Sequence, residues 1–226
     1  MTSRIAIMQP YFFPYGGYFR LFAAADVFVV LDCVQFPRRG WVHRNRLSNS
    51  NGEPQWLTLP LMKSDRDATR ICDLAFPENA QHLMDEQMRR FPCLRNLKKS
   101  EPQLTAILSD FDVSPAQYLV RGLEWTTERL GLKRPIVMSS SLEIPAELKA
   151  QDRIIEIARR MNAKHYINAP GGLDLYEASA FHSAGMSLGF LENYDGSYQS
   201  ILERLLSENA SSVAEEILRN TSVRTL

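Results

Sequence analysis

The sequence predicts an α/β protein: a Rossmann-like, doubly wound, mainly parallel sheet with a helical insert and a C-terminal helix. Three observations carry that expectation. Short apolar, β-branched runs alternate with helical patterns, as in βαβ units whose strands are buried on both faces. Residues 78–132 abandon that alternation for helical spacing alone, which marks an insert or cap. The tail "SILERLLSENASSVAEEILRNTSV" is amphipathic throughout. At 226 residues the chain, 1–226, fits a single α/β domain.

The elements follow in order. "RIAIMQP" is a short apolar strand, and "VFVVLDCVQF" (27–36) is β-branched and aromatic enough for a second. Between them "GGYFRLFAAAD" spaces its apolar residues as a helix over 18–25. Strand, tight turn, helix and strand within about 30 residues make a βαβ unit, so the two strands should run parallel. "QWLTLPL" (55–61) alternates, and Pro60 confines it to a sheet edge. In the insert, Leu83, Met84, Met88 and Phe91 recur at helical spacing before Pro92, and Ser114 caps a helix that opens with Pro115. "RPIVMSSSL", "KHYINAP" and "SLGFLE" then read as strands. "LKAQDRIIEIARRMNA" and "LDLYEASAFHSAG" read as the helices between them. In the tail, Ser211 or Ser212 is the expected cap.

Composition excludes several function classes. Lys plus Arg and Asp plus Glu both number 26, so no global field draws the chain to nucleic acid or anionic lipid. No apolar run approaches the roughly 20 residues that span a bilayer. "MTSRIAIMQPYFF" lacks the apolar core of a signal peptide, so the expected location is cytoplasmic, with no membrane insertion. Cys33, Cys72 and Cys93 have no CxxC spacing and suit free thiols in a reducing compartment. The four histidines show no metal-ligand spacing, so no metal site is expected.

In a doubly wound sheet, ligands sit outside the carboxyl ends of the strands. Those ends supply Gln9, Tyr11 and Tyr15 with Gly16 and Gly17, then Asp32 and Gln35, then Ser139, Ser140 and Ser141. Asn168 follows with Gly171 and Gly172, and finally Glu192 with Asn193. Taken singly, each fits a cap or a turn as well as a ligand contact; the collective pattern is what points to a pocket. Gly16 and Gly17 stand where a helix N-terminus accepts an anion, and equally where a turn needs conformational freedom. No G-x-G-x-x-G and no Walker lysine is present, so no cofactor is named.

The densest local signal is "PRRGWVHRNRL", with Arg38, Arg39, Arg44 and Arg46, plus His43, and no acid. Arginine forks suit phosphate or carboxylate, and Trp41 suits stacking on a base or sugar. The partner expected is therefore a small, phosphate-bearing molecule, because a single patch is too small for a nucleic-acid face. Asp32 is a candidate general base, a hydroxyl clamp, or a partner for the arginines.

"QPYFFPYGGYFRL", "DVFVVLDCVQFPRRGWVHRNRL" and "INAPGGLDLYEASAFHSAGMSLGFLE" together resemble the WbqC-like family of bacterial proteins. The shared motifs are Q-P-Y-x-x-P-Y-x-G-Y, W-x-x-R-N-R and GG-x-x-L-Y, and they add Asn45 and Tyr176 to the binding set. Many members carry His where this chain has Met8, so no catalytic role is placed there. The resemblance implies a role in O-antigen or other surface-polysaccharide synthesis, in clusters that make amino sugars. A looser likeness in layout is to pantothenate synthetases and other nucleotidylyl transferases, which seat ATP over an H-x-G-H turn. Here that turn is P-Y-G-G-Y-F, without either histidine.

The likenesses fix no reaction; the first expectation from the residues together is a transferase that forms an amide on a nucleotide-activated amino sugar, with Asp32 or Glu192 taking the amine proton. The alternatives are an adenylate-forming or nucleotidylyl-transferring enzyme, and a non-catalytic module that binds a sugar nucleotide or a partner protein.

Overall fold

The computed structural model of the chain describes residues 4–37, 39–63 and 68–226. Its strands are β1 (Arg4–Met8), β2 (Val27–Val30), β3 (Arg44–Ser48), β4 (Pro54–Thr58), β5 (Ile136–Met138), β6 (His165–Asn168), β7 (Ser187–Leu191) and β8 (Val223–Thr225). The α-helices are α1 (Gly16–Ala24), α2 (Ala80–Met88), α3 (Leu97–Ser100), α4 (Pro102–Leu108), α5 (Pro115–Arg129), α6 (Ala150–Arg160), α7 (Ala178–Ser183), α8 (Ile201–Ser207) and α9 (Ala210–Arg219).

The main sheet has six strands in the order β5-β2-β1-β6-β7-β8. Every neighbouring pair is parallel except β7 with β8. Ile5 pairs with Val27 and Ala6 with Phe28, so alternate residues of adjacent strands share a face. That alternation sorts the side chains into two cores. Ala6, Phe28, Val30 and Ile167 pack with Phe19 and Phe22 of α1, Leu123 of α5 and Ile217 of α9. Ile5, Ile7, Val29, Tyr166 and Phe190 pack on the opposite face with Ile154 and Ile157 of α6 and Phe181 of α7. The expected α/β architecture, with a mainly parallel sheet flanked by helices, is therefore the one observed.

Several boundaries differ from expectation. β2 ends at Val30 instead of running to residue 36. Asp32 and Cys33 both donate backbone N–H to Ser139 Oγ (3.1 and 3.3 Å), which pulls the chain toward the end of β5 and out of the ladder. The segment 55–61 is not an edge of the main sheet. Residues 54–58 form β4, which pairs antiparallel with β3 in a separate hairpin. The second half of the arginine-rich segment is thus a strand, with Leu47 and Leu57 turned into the core. The tail is two helices with Asn209 between them. Asn209 Oδ1 accepts the N–H groups of Ser211 (2.8 Å) and Ser212 (3.4 Å), so the cap is Asn209, and the serines are the capped residues. Ser114 does cap α5, in a reciprocal capping box with Gln117. The chain then closes with β8, an antiparallel strand absent from the sequence reading.

This strand order positions the site. From β1 the chain moves outward to β2 and β5 on one side, then crosses back to β6 on the other. The switch point lies between the carboxyl ends of β1 and β6, where an open sheet leaves a crevice. No helix among the described residues is long and apolar enough to cross a membrane.

Candidate functional site

A cleft of about 570 Å³ occupies that switch point. Its floor is Ile7, Met8 and Gln9 from the end of β1, together with Asn168, Gly171 and Gly172 from the turn after β6. Tyr11, Tyr15, Tyr18, Tyr176, Tyr194, Tyr198 and Trp41 form its walls. A volume in the range of small-molecule pockets, with aromatic walls and a few amides, is the general form of such sites.

The aromatic wall is built by specific contacts. Tyr18 donates its hydroxyl to the Gln9 carbonyl at 2.8 Å. Tyr15 stacks on Tyr198 with ring centroids 4.9 Å apart, and Tyr194 leans on Tyr15 at 5.5 Å. Tyr194 in turn donates to Glu216 Oε1 at 2.5 Å, and Glu216 pairs with the buried Arg204 at 2.8 Å. Burial raises the phenol pKa values of Tyr11 and Tyr15 above their usual value, so both remain neutral hydrogen-bond donors.

The glycine pair has a packing role. A Cβ on Gly16 would lie 2.5 Å from Tyr194 Oη, and one on Gly17 would lie 2.2 Å from Tyr15 Cε2. Gly16 and Gly17 therefore lie beneath two tyrosine rings, and of the two only Gly17 lines the cleft. Gly172 is required in the same way, since its Cβ would lie 2.2 Å from the Asn168 amide; Gly171 has open space. Asn168 Oδ1 accepts the Ala169 N–H at 2.8 Å, which holds the turn over the end of β6.

Several cleft residues were not expected from the sequence, among them Tyr18, Tyr194 and Tyr198, and the most consequential is Arg20. Arg20, on the first turns of α1, is only 1% exposed. Its Nη1 donates to the carbonyls of Glu192 (2.9 Å) and Asn220 (2.8 Å), tying α1 to the ends of β7 and α9. Its guanidinium lies 5.0 Å from the Tyr194 ring centroid. Among the described residues no carboxylate pairs with it, whereas buried Arg204 has Glu208 and Glu216. Burial lowers the Arg20 pKa, yet an arginine keeps its charge near neutrality. An arginine in the otherwise apolar "GGYFRLFAAA" was the available signal.

The residues expected at the strand ends are distributed more widely. Gln9, Tyr11, Tyr15, Gly17, Trp41, Asn168, Gly171, Gly172 and Tyr176 line the cleft. Asp32 does not: it is fully buried, and its carboxylate accepts Ser139 Oγ (2.9 Å), Ser140 N–H (2.8 Å) and Ser140 Oγ (2.6 Å). Asp32, Ser139 and Ser140 are thus bonded to one another, and among the described residues Arg39, Arg44 and Arg46 are not partners of Asp32. Glu192 is exposed beyond β7, outside the cleft lining, and Gln35 bridges to Arg70.

The arginine-rich segment is also divided. Arg38 lies outside the described residues. Arg39 is exposed and lines neither the cleft nor the cavity beside it. Arg44 and Arg46 flank the Trp56 ring at 4.3 and 4.6 Å, and Arg46 lines the adjoining cavity. Asn45 points the opposite way along β3 and is 7% exposed. His43 adds no charge to the patch, because burial and then Arg44 push its pKa down to about 4.

Electrostatically, the cleft is one-sided. No Asp, Glu, His, Lys or Cys is among its described lining residues, and Arg20 is its one ionised group near neutrality. Among the described residues no three His, Cys, Asp or Glu side chains are grouped to hold a metal ion. Such a cleft suits an anionic ligand with planar or cyclic parts.

Residues 9–210 match the model of the WbqC-like protein family. A stretch of 69 residues is 40% identical to "Uncharacterized protein Rv1507c" of Mycobacterium tuberculosis, spanning 30% of this chain and 29% of the relative. No solved structure matches the chain.

Proposed function

The chain belongs to the WbqC-like protein family, and from that membership and the cleft we propose that it binds a nucleotide-activated amino sugar and modifies it by acyl or amide transfer, in bacterial surface-polysaccharide synthesis. The observation that carries the reading is Arg20, a buried guanidinium that among the described residues has no carboxylate partner and no acid beside it in the cleft lining. A buried charge is costly unless compensated, and a diphosphate supplies the missing countercharge. Tyr11, Tyr176 and Trp41 offer faces for the base and the sugar ring, and Gln9, Asn168 and Asn193 offer amides for hydroxyl groups.

With no carboxylate or imidazole in the described lining, the amine proton leaves with the donor's leaving group or to solvent. Positioning then carries the rate. The same observation favours a second reading, a non-catalytic sugar-nucleotide module. The adenylate-forming alternative is less well supported, because the turn that would seat ATP phosphates lies beneath the Tyr15 and Tyr194 rings.

Calorimetric titration with UDP, dTDP and GDP sugars tests the proposal. Binding of at least one is expected, with loss of affinity of about tenfold in Leu175→Asp, which sets an acid on an exposed rim residue of the cleft. Failure of every sugar nucleotide to bind would sink it. Adding an acyl donor and weighing the product by mass spectrometry separates the readings: a mass gain marks the transferase, and tight binding with no gain marks the module.

A further inference from the structure

A second cavity, of about 740 Å³, adjoins the cleft between the β3–β4 hairpin, the turn at Pro14 and the start of α8. Tyr11, Tyr15, Trp41 and Tyr198 line both spaces. The two are therefore separated by one layer of aromatic side chains, and ligands in each would meet at that layer.

The chemistry of the second cavity differs from that of the first. Pro14, Leu47 and Pro54 make much of its wall apolar, and Arg46 stands in the wall with its guanidinium 4.6 Å from the Trp56 centroid. Arg44 holds the same indole at 4.3 Å. Among the described residues neither arginine has a carboxylate partner. A guanidinium laid on an indole is oriented in advance and keeps its N–H donors free for an anion. Glu203 is the one carboxylate in the described lining, and its oxygens accept the Ser48 N–H at 3.1 and 3.2 Å.

We propose that this cavity is the site of the acyl donor, a phosphorylated acyl thioester of the coenzyme A type. A phosphate lies on Arg46, and the apolar acyl-bearing arm runs along the aromatic layer toward the cleft. The assignment of this ligand as a donor rests on the transferase reading; the existence of a second anion site does not. In the step, the sugar's amine nitrogen bonds to the thioester carbonyl carbon, the C–S bond breaks, and the thiol departs with the amine's proton. An amide and a free thiol result, with no oxidant or reductant consumed.

The test titrates the full-length chain with coenzyme A, in the absence and presence of saturating UDP. Coenzyme A is expected to bind wild type and to bind still when UDP occupies the cleft. Arg46→Glu should weaken it at least tenfold while leaving UDP affinity within twofold. Gln199→Trp, which places a ring in the cavity from an exposed loop residue, should do the same should Arg46→Glu fail to melt cooperatively. Absence of coenzyme A binding, unaltered binding in both variants, or simple competition with UDP would each overturn the second site. Coenzyme A binding by a protein that ignores UDP and every sugar nucleotide would leave this site standing and remove the function proposed for the cleft.

Discussion

Asn45 donates its side-chain amide to the carbonyl oxygens of Phe13 (2.5 Å) and Phe12 (3.1 Å), clamping the turn that follows β1. Phe13 is held at φ 44°, a left-handed conformation that costs a bulky residue energy. Ser200 Oγ adds a second bond to the same carbonyl at 2.9 Å. The R-N-R triplet is thus a strand alternation: Arg44 and Arg46 face Trp56, and Asn45 faces inward to fix the loop that shapes both cavities.

Replacing that amide should therefore affect stability and binding together. Asn45→Ala removes both amide bonds and strands the Phe12 carbonyl, while Ser200 still serves Phe13, and is expected to cost about 2 kcal/mol. Asn45→Asp should cost more, since it sets carboxylate oxygens against carbonyl oxygens. Urea denaturation measures the first effect, and sugar-nucleotide affinity should fall in parallel. A stable Asn45→Asp protein would contradict the clamp.

The Gly17–Tyr15 contact makes a second prediction. Gly17→Ala should destabilise by about 1–3 kcal/mol, because its Cβ would lie 2.2 Å from the Tyr15 ring. In a Tyr15→Ala background the same change should cost less, with Tyr194 Cδ1 at 2.9 Å as the remaining contact, and a double-mutant cycle reads the difference. Equal costs in the two backgrounds would mean that the glycine serves something other than packing beneath Tyr15.

Asp32 is expected to act as a stitch between the ends of β2 and β5. Asp32→Ala should cost about 3 kcal/mol by stranding the Ser139 and Ser140 donors. Asp32→Asn keeps an acceptor for Ser139, and its amide can donate to the Ser140 hydroxyl, so about 1 kcal/mol is expected. Its affinity for a sugar nucleotide should stay within about twofold of wild type, the scale of a purely structural change. A folded Asp32→Asn protein that binds normally and turns nothing over would return the carboxylate to catalysis, where general bases contribute about 10²–10⁴-fold.

His43 sets a pH dependence. Its folded pKa is lowered to about 4 by burial and then by Arg44, against about 6.5 in an unfolded chain. Between those values the unfolded state binds more protons, so stability rises with pH across the window and is lost as pH falls through it. Denaturation midpoints from pH 7 to 4 should fall more steeply for wild type than for His43→Gln, with the gap opening below about pH 6.5. Parallel curves would show that His43 titrates normally.

Much of the fold was legible because its elements are local. Apolar period marked β1, β6 and β7. The Ser114–Pro115 pair marked α5, while Gly16 and Gly17, expected in the turn before a helix over 18–25, form the first turn of α1. Misreadings arose where a distant partner intervened. Ser139 bends the chain away after Val30, and no property of 31–36 announces it. The β3–β4 hairpin leaves the main sheet because Leu47 and Leu57 find the core beneath α-helical segments, which is a matter of packing.

The site divides along the same line. Which turns gather at the carboxyl ends of the parallel strands follows from the residues alone, because βα alternation sets strand direction. That alternation brings Gln9, Tyr11, Asn168 and Gly171 into one neighbourhood. Which polar groups stay available, and which satisfy each other, depends on the packed fold. Asp32 is spent on two serines and Gly16 lies beneath Tyr194, while Arg20 is buried with carbonyl partners and no countercharge. Hydrogen-bond partnership spans 107 residues for Asp32 and 172 for Arg20. Only folding brings groups so far apart in sequence together, and so it decides which charges a ligand will meet.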